Sequence, residues 1–221
     1  TSYEHELKML KSYKELLKDD SFYIIPSPLE SYSNDKVLTI SYERGIHLSD
    51  LDISKLSEKQ RNKLGKKIFE LFLRELFEFS LVQTDAHGGN FLVSPDFEKL
   101  ILLDFGACVS YRQEELNFYR RFLKTSYNED KDGLLRAFYS FAQFNGDDLQ
   151  VDEDLLFDYM TIASSPLRSK DFDWGQTDLP DQLFKLTREL QKSIVAKSVP
   201  HQFIFIDRKV IGVFTLLKQL Q

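Results

Sequence analysis

Apolar residues recur at three- and four-residue spacing along most of this chain, and in short unbroken runs along a small part of it. Residues 4–18 place Leu7, Leu10, Tyr13 or Lys14, and Leu17 on one helical face, and Asp19-Asp20 ends the pattern. Residues 22–25 read as a short strand before Pro26-Ser27-Pro28, and residues 37–42 as a second strand ending at Glu43-Arg44-Gly45. A long helix is predicted over about 58–81, with Leu64, Ile68, Leu71, Phe72, Leu76 and Phe79 on one side. That face is too apolar for a free surface helix, so it belongs in a core. Two short apolar runs follow, 91–93 and 100–103, joined by Ser94-Pro95-Asp96 in the manner of a hairpin. Helical spacing then returns at 114–127, at 131–144 (stopping near Asn145-Gly146), at 152–163 with Asp152 as N-cap, at 178–196 with Asp178 as cap, and at 203–220. Residues 164–178 read as a loop holding the sole tryptophan, Trp174. The pattern predicts an α+β chain, mostly α, with a strand-containing front end, a two-stranded hairpin and a run of helices.

The chemistry concentrates around the hairpin. Asp85 is followed five positions on by Asn90, and Asp104-Phe105-Gly106 closes the second apolar run. An Asp and an Asn at that spacing, then Asp-Phe-Gly after a hairpin, is the arrangement of a kinase active site. In such a site the first Asp orients or deprotonates the acceptor, while the Asn and second Asp hold Mg²⁺ on the phosphates of ATP. Magnesium takes hard oxygen ligands, which Asn90 and Asp104 supply. Gly88 and Gly89 are expected to let the loop turn tightly between Asp85 and Asn90. Each piece alone is common; the two in order, with a hairpin between them, carry the reading.

Composition changes little in this picture. The chain has 221 residues, 42% hydrophobic and 29% charged, as an ordinary globular protein does. Its net charge of −6 gives no basic patch for nucleic acid. One cysteine, Cys108, excludes an internal disulfide and multi-cysteine zinc sites, and it reads as a small packing residue. No run approaches the roughly 18 apolar residues of a membrane-spanning helix, and no signal peptide is visible.

On further residues the chain resembles the UbiB/AarF family of atypical protein-kinase-like proteins, which includes the ADCK and coenzyme Q kinase-like proteins. Leu73 to Phe79 running into Gln83-Thr84-Asp85 looks like the family's helix and catalytic loop. Gln83-Thr84 stands where ordinary protein kinases have His-Arg. Asp85-Ala86-His87-Gly88-Gly89-Asn90 resembles the family's Asp-Pro-His-Pro-Gly-Asn, with Ala86 in place of the usual Pro, and Leu103 to Ala107 has the family's form. Residues 37–45 look like its hinge, and Tyr3 to Glu6 like the end of its Asp-Tyr-x-x-Glu-Ala signature. The resemblance implies a kinase-like fold, with residues 1–48 a remnant of the N-lobe (αC-type helix, strands, hinge) and 49–221 the helical C-lobe. It also implies roles. Asp85 is the base or acceptor-orienting group, and Asn90 and Asp104 ligate Mg²⁺. Glu6 pairs with a nucleotide-binding lysine, and Ser41, Tyr42 and Glu43 receive the adenine of ATP beside Phe105 and Gly106. His87 is expected to be structural, and Arg208-Lys209 resembles a family feature of the last helix.

By the same resemblance, the expected activity is slow ATPase or phosphoryl transfer supporting ubiquinone (coenzyme Q) biosynthesis or isoprenoid-lipid metabolism. The expected partners are a nucleotide, an isoprenoid lipid or membrane surface, and ubiquinone-biosynthesis proteins. The expected setting is intracellular, cytoplasmic or peripheral to a membrane, on the mitochondrial matrix side in a eukaryote. The family's strand lysine, Ala-rich loop and Lys-x-Gly-Gln segment have no counterpart among these residues, so the chain is expected to be the C-lobe portion of a longer protein and, alone, inactive. Two other readings compete: a small-molecule phosphotransferase of the aminoglycoside or choline kinase type, which usually lacks Phe-Gly after its metal Asp, and a non-catalytic pseudokinase module that binds lipid or protein.

Overall fold

Capping decides where the first two helices begin. In the computed structural model, which describes residues 2–144, 150–193 and 201–221, Ser2 accepts the N–H of His5 and opens α1, Tyr3–Leu16. Glu4 and Glu6 lie in its first turn, where the helix dipole favours them. Ser57 and Gln60 form a reciprocal capping box at the start of α2, Glu58–Arg74. The predicted helix over 58–81 is shorter than expected. After Arg74 the backbone widens into a π turn, Glu75–Phe79, and Ser80 turns left-handed at φ 56°. Leu81 then opens a strand, so the periodic run ends before its apolar residues do.

Among the described residues, six short strands build two sheets. The strands β1 (Tyr23–Ile24), β2 (Ile46–His47), β4 (Phe91–Val93) and β5 (Leu100–Leu102) lie in the order β1-β5-β4-β2. The β4–β5 hairpin pairs Phe91 with Leu102 and Val93 with Leu100, as the two apolar runs predicted. β1 is parallel to β5, and β2 is antiparallel to β4. The second sheet pairs β3 (Leu81–Gln83) with β6 (Cys108–Ser110), Gln83 opposite Cys108. The predicted strand at 37–42 is a correction: only isolated bridges, Pro28 to Ile40 and Asn34 to Val37, form there. The segment folds back on itself, with Leu29 bonding Thr39 and Ser41 bonding Ser27, so it has no neighbour with which to extend a ladder.

Two compact units result, residues 1–110 with 219–221, and residues 111–218. The expected boundary at residue 48 falls inside the first unit, because β1 and β2 pair with the hairpin strands rather than with each other. The first unit's core gathers Leu10, Tyr13, Leu64, Ile68, Val93, Leu100, Ile101 and Phe105.

The second unit is helical: α3 (Gln113–Tyr127), α4 (Lys131–Phe144), α5 (Glu153–Ala163), α6 (Leu179–Ser193) and α7 (His201–Gln219). Phe118 stacks on Phe141 at 4.2 Å, and Phe122 and Phe138 extend the cluster between α3 and α4. Asp152 caps α5 as expected. The Arg168 guanidinium, after a 3-10 turn at Ser165–Arg168, donates to the carbonyls of Ser126 and Thr161 in the last turns of α3 and α5. Trp174 packs on Phe172 and Phe214. The predicted stop of α4 near Asn145-Gly146, and the end of α6 at 196, lie outside the described residues.

Candidate active site

Strand pairing brings two loops of the first unit side by side. The β3–β4 connection carries Asp85 and Asn90, and the β5–β6 connection carries Asp104, Phe105 and Gly106. Because β4 pairs with β5 and β3 with β6, both loops leave the same pair of ladders. Thr84 fastens one to the other, its N–H and its Oγ1 both donating to the Ala107 carbonyl at 3.0 and 2.8 Å. Leu103 N–H donates to the Asn90 carbonyl at 3.1 Å, which sets Asn90 beside the residue before Asp104.

The Asp85 loop is held by its own polar groups. The Asp85 carbonyl accepts from Asn90 Nδ2 at 2.9 Å, Gln83 Nε2 at 3.2 Å and the His87 N–H at 3.0 Å. The first of these bonds uses the amide's nitrogen and leaves the Asn90 Oδ1 lone pairs out of that contact. The Asp85 carboxylate is partly exposed, with His87 Nε2 3.5 Å from Oδ2. His87 Nδ1 accepts the Gly89 N–H at 3.1 Å, so in the neutral ring the proton sits on Nε2, on the Asp85 side. The two glycines serve a different purpose from the one predicted. Neither has left-handed backbone. A Cβ at Gly88 would stand 2.7 Å from the Ser49 nitrogen, and one at Gly89 would stand 2.9 Å from the His87 ring. Close approach to the backbone of Ser49, rather than turn geometry, calls for glycine at position 88.

On the other loop, Asp104 Oδ1 accepts the Gly106 N–H at 2.8 Å, which orients the carboxylate. Phe105 is buried and lies against Tyr13 of α1 at 4.9 Å. Glu6 reaches the same place from α1, with its Oε2 3.5 Å and Asp104 Oδ1 3.3 Å from the point where a Gly106 Cβ would sit. Burial pushes the Glu6 carboxyl up, the Asp104 charge pushes it further, and the Phe105 N–H bond partly opposes both. Glu6 and Asp104 thus converge over Gly106, and the Asp104 carboxylate, like the Asn90 amide oxygen, is a hard oxygen donor of the kind Mg²⁺ takes. Among the described residues no group of three or more His, Cys, Asp or Glu forms a ready-made metal cage.

The expected adenine-receiving residues lie apart from these loops in the sequence and are differently engaged. The Ser41 N–H donates to the Ser27 carbonyl at 2.8 Å, and its hydroxyl donates to Glu43 Oε1 at 2.7 Å. Tyr42 is 87% exposed. The sequence gives no separate role to two residues of the first unit: Tyr13, one position in a helical stripe, and Glu75, one residue of the Leu73 to Phe79 stretch. Both are buried. A carboxylate at the end of an apolar helical face, followed three residues after Arg74-Glu75 by another acid, gave no signal that the helix would widen there.

The fold, mostly helical with a small sheet, is kinase-like. The chain belongs to the ABC1 atypical kinase-like domain family, whose description matches residues 1–138. It is similar to the atypical kinase COQ8B, mitochondrial, of Danio rerio, 27% identical over 99% of this chain and 35% of that protein. It is also similar to the atypical kinase COQ8, mitochondrial, of Saccharomyces cerevisiae, 25% identical over 99% of the chain and 44% of the relative. The chain thus spans less than half the length of these relatives. Among solved structures, Rv3197 of Mycobacterium tuberculosis, determined with erythromycin, has the same fold at a TM-score of 0.71 and 19% identity, over 99% of this chain and 54% of that one. No helix among the described residues is long and apolar enough to cross a membrane.

Proposed function

We propose that this chain carries the metal-binding and acceptor-side half of an ATP- and Mg²⁺-dependent kinase-type site, acting in ATPase or phosphoryl-transfer chemistry. The observation that carries the reading is the Asn90 amide bonded through Nδ2 to the Asp85 carbonyl, on a loop fastened to the one bearing Asp104. Asn90 Oδ1 and the Asp104 carboxylate would hold magnesium, which when bound neutralises phosphate charge. Asp85 would accept or orient the proton of the attacking hydroxyl or water. The His87 ring, its Nε2 3.5 Å from Asp85 Oδ2, borders that carboxylate on one side. Glu6, half-buried beside Asp104, would pair with a cation on the phosphate side. Catalysis in such a site is positioning and charge neutralisation. The relatives are named atypical kinases and mitochondrial, and by that kinship the process served is ubiquinone biosynthesis, with isoprenoid lipid or a membrane surface and ubiquinone-biosynthesis proteins as partners.

The test is a thermal shift with MgATP and MgADP on the full-length protein and its Asp104→Asn variant. A ligand that binds only the native state at a hundredfold its Kd adds about 2.7 kcal/mol. The expected result is a magnesium-dependent rise that Asp104→Asn abolishes. A folded full-length protein that shows no rise would sink the nucleotide reading.

A further inference from the structure

One phenol joins the helix that bears Glu6 to the strand that leads into the Asp85 loop. Tyr13 follows Glu6 by two helical turns, so both side chains lie along one face of α1. It has no solvent exposure. Its hydroxyl donates to Glu75 Oε1 at 2.8 Å, with the Leu81 carbonyl a second acceptor at 3.2 Å, and it accepts the Gln83 N–H at 2.8 Å. Its ring lies 4.9 Å from Phe105 and meets the Phe79 ring edge-on. The partners come from distinct pieces of the site: the strand two residues before Asp85, the aromatic residue after Asp104, and the π turn that ends α2. That π turn brings the Glu75 carboxylate into the interior beneath α1; such turns are often found at functional sites.

Packing alone does not require the hydroxyl. A phenylalanine would keep the ring and nearly all of the volume. What the oxygen adds is a pair of bonds that no apolar side chain makes, one to a buried backbone N–H and one to a buried carboxylate. Such groups need partners. Gln83 also donates from its side chain to the Asp85 carbonyl, so the contact reaches the catalytic loop in one step.

We propose that Tyr13 is a positioning residue for the reaction: its hydroxyl holds α1, and with it Glu6, in register with Gln83 and the Asp85 loop, so that the phosphate side and the acceptor side of the site are set together. The inference rests on the nucleotide reading above. Helix α1 cannot slide without breaking the bonds to both Gln83 and Glu75, so its seated position is one discrete state rather than a range.

The experiment is steady-state ATPase kinetics on full-length wild type, Asp104→Asn and Tyr13→Phe, each assayed well below its melting temperature. Tyr13→Phe keeps the ring against Phe105 and removes only the oxygen. The expected result is a kcat lowered about 10- to 100-fold, the scale of a small misplacement of reacting groups. KM for MgATP should change by less than about threefold, since the split locates the loss in the transition state. An unchanged kcat in folded Tyr13→Phe overturns the inference, whatever its melting temperature does. Should that variant not fold, the amide exchange of Gln83 in wild type decides: a rise in protection of about tenfold on adding MgADP, with the α4 amides unmoved, supports the coupling, and no rise overturns it. If wild type itself neither binds nor hydrolyses ATP, the nucleotide reading fails and this inference with it. If wild type is active and Asp104→Asn is not, a fully active Tyr13→Phe overturns this inference alone.

Discussion

Replacing Glu6 by glutamine should move stability and ligand binding in opposite directions. In the free protein Glu6 meets Asp104 over Gly106, and its carboxyl is held above the usual range by burial first and by the Asp104 charge second. Like unit charges about 4 Å apart repel by about 1 kcal/mol in water and about 4 kcal/mol at an effective dielectric of 20. Glu6 is only half-buried, and solvent screening brings the net effect toward the lower figure. Glutamine keeps an oxygen to accept the Phe105 N–H and removes the charge. The variant should therefore be more stable than wild type at pH 7 by about 1 kcal/mol, or roughly 2–4 °C in melting temperature for a chain of this size. The sign with pH follows from the raised carboxyl. Its contribution is most favourable to the fold below the ordinary value of 4.5 and is lost as pH rises through the higher folded-state value. The advantage of glutamine should thus shrink as pH falls and vanish near pH 4.5. Melting curves at neutral and acid pH measure this directly, and MgADP added at pH 7 should give a smaller shift in the variant. A Glu6→Gln protein less stable than wild type at pH 7 would refute the idea that the two carboxylates repel.

Two further outcomes follow from the geometry. Gly88→Ala should destabilise by about 1–3 kcal/mol in urea unfolding, because the new methyl would press on backbone atoms of Ser49 at 2.7 and 3.0 Å, which have no flexible end to yield. Asp207→Asn should leave the melting temperature unchanged or raise it by about 2 °C at pH 7, with the difference lost near the ordinary carboxyl value of 3.8, since burial pushes the Asp207 carboxyl up while an amide oxygen still accepts from Tyr159 and Thr187.

The hairpin that sets Asp85, Asn90 and the Asp104 triplet on neighbouring loops was legible because it is local: its two apolar runs are short and pure and the candidate residues sit at fixed spacings around it. The helices of the second unit were legible for a similar reason, each having a stripe and a recognisable start. What escaped was non-local. The 37–42 run has strand composition but folds against 27–32, and a pattern of period two does not say whether a partner strand is available. The end of α2 was misplaced because Leu76 and Phe79 continue the stripe while the hydrogen bonding beneath them has already changed. Tyr13 and Glu75 were missed because amphipathic patterning sorts residues by face, not by which polar atom meets which across 62 residues of chain. The reason for Gly88 escaped for a related cause, since a neighbour such as Ser49 cannot be seen from the loop's own sequence.

Arg168 bears on how the second unit comes to be folded. Its guanidinium supplies N–H donors to the last turns of two helices that are separated by another helix in the chain. Neither α3 nor α5 can finish its end in this way until residue 168 has been placed. The same carbonyls also accept local donors, Ser126 from the Glu129 N–H and Thr161 from the Ser164 hydroxyl, so Arg168 adds a second donor to each and seating one side chain would tighten both ends at once. In refolding experiments the protection of the final turns of α3 and α5 should therefore rise in a single phase, later than that of their middles.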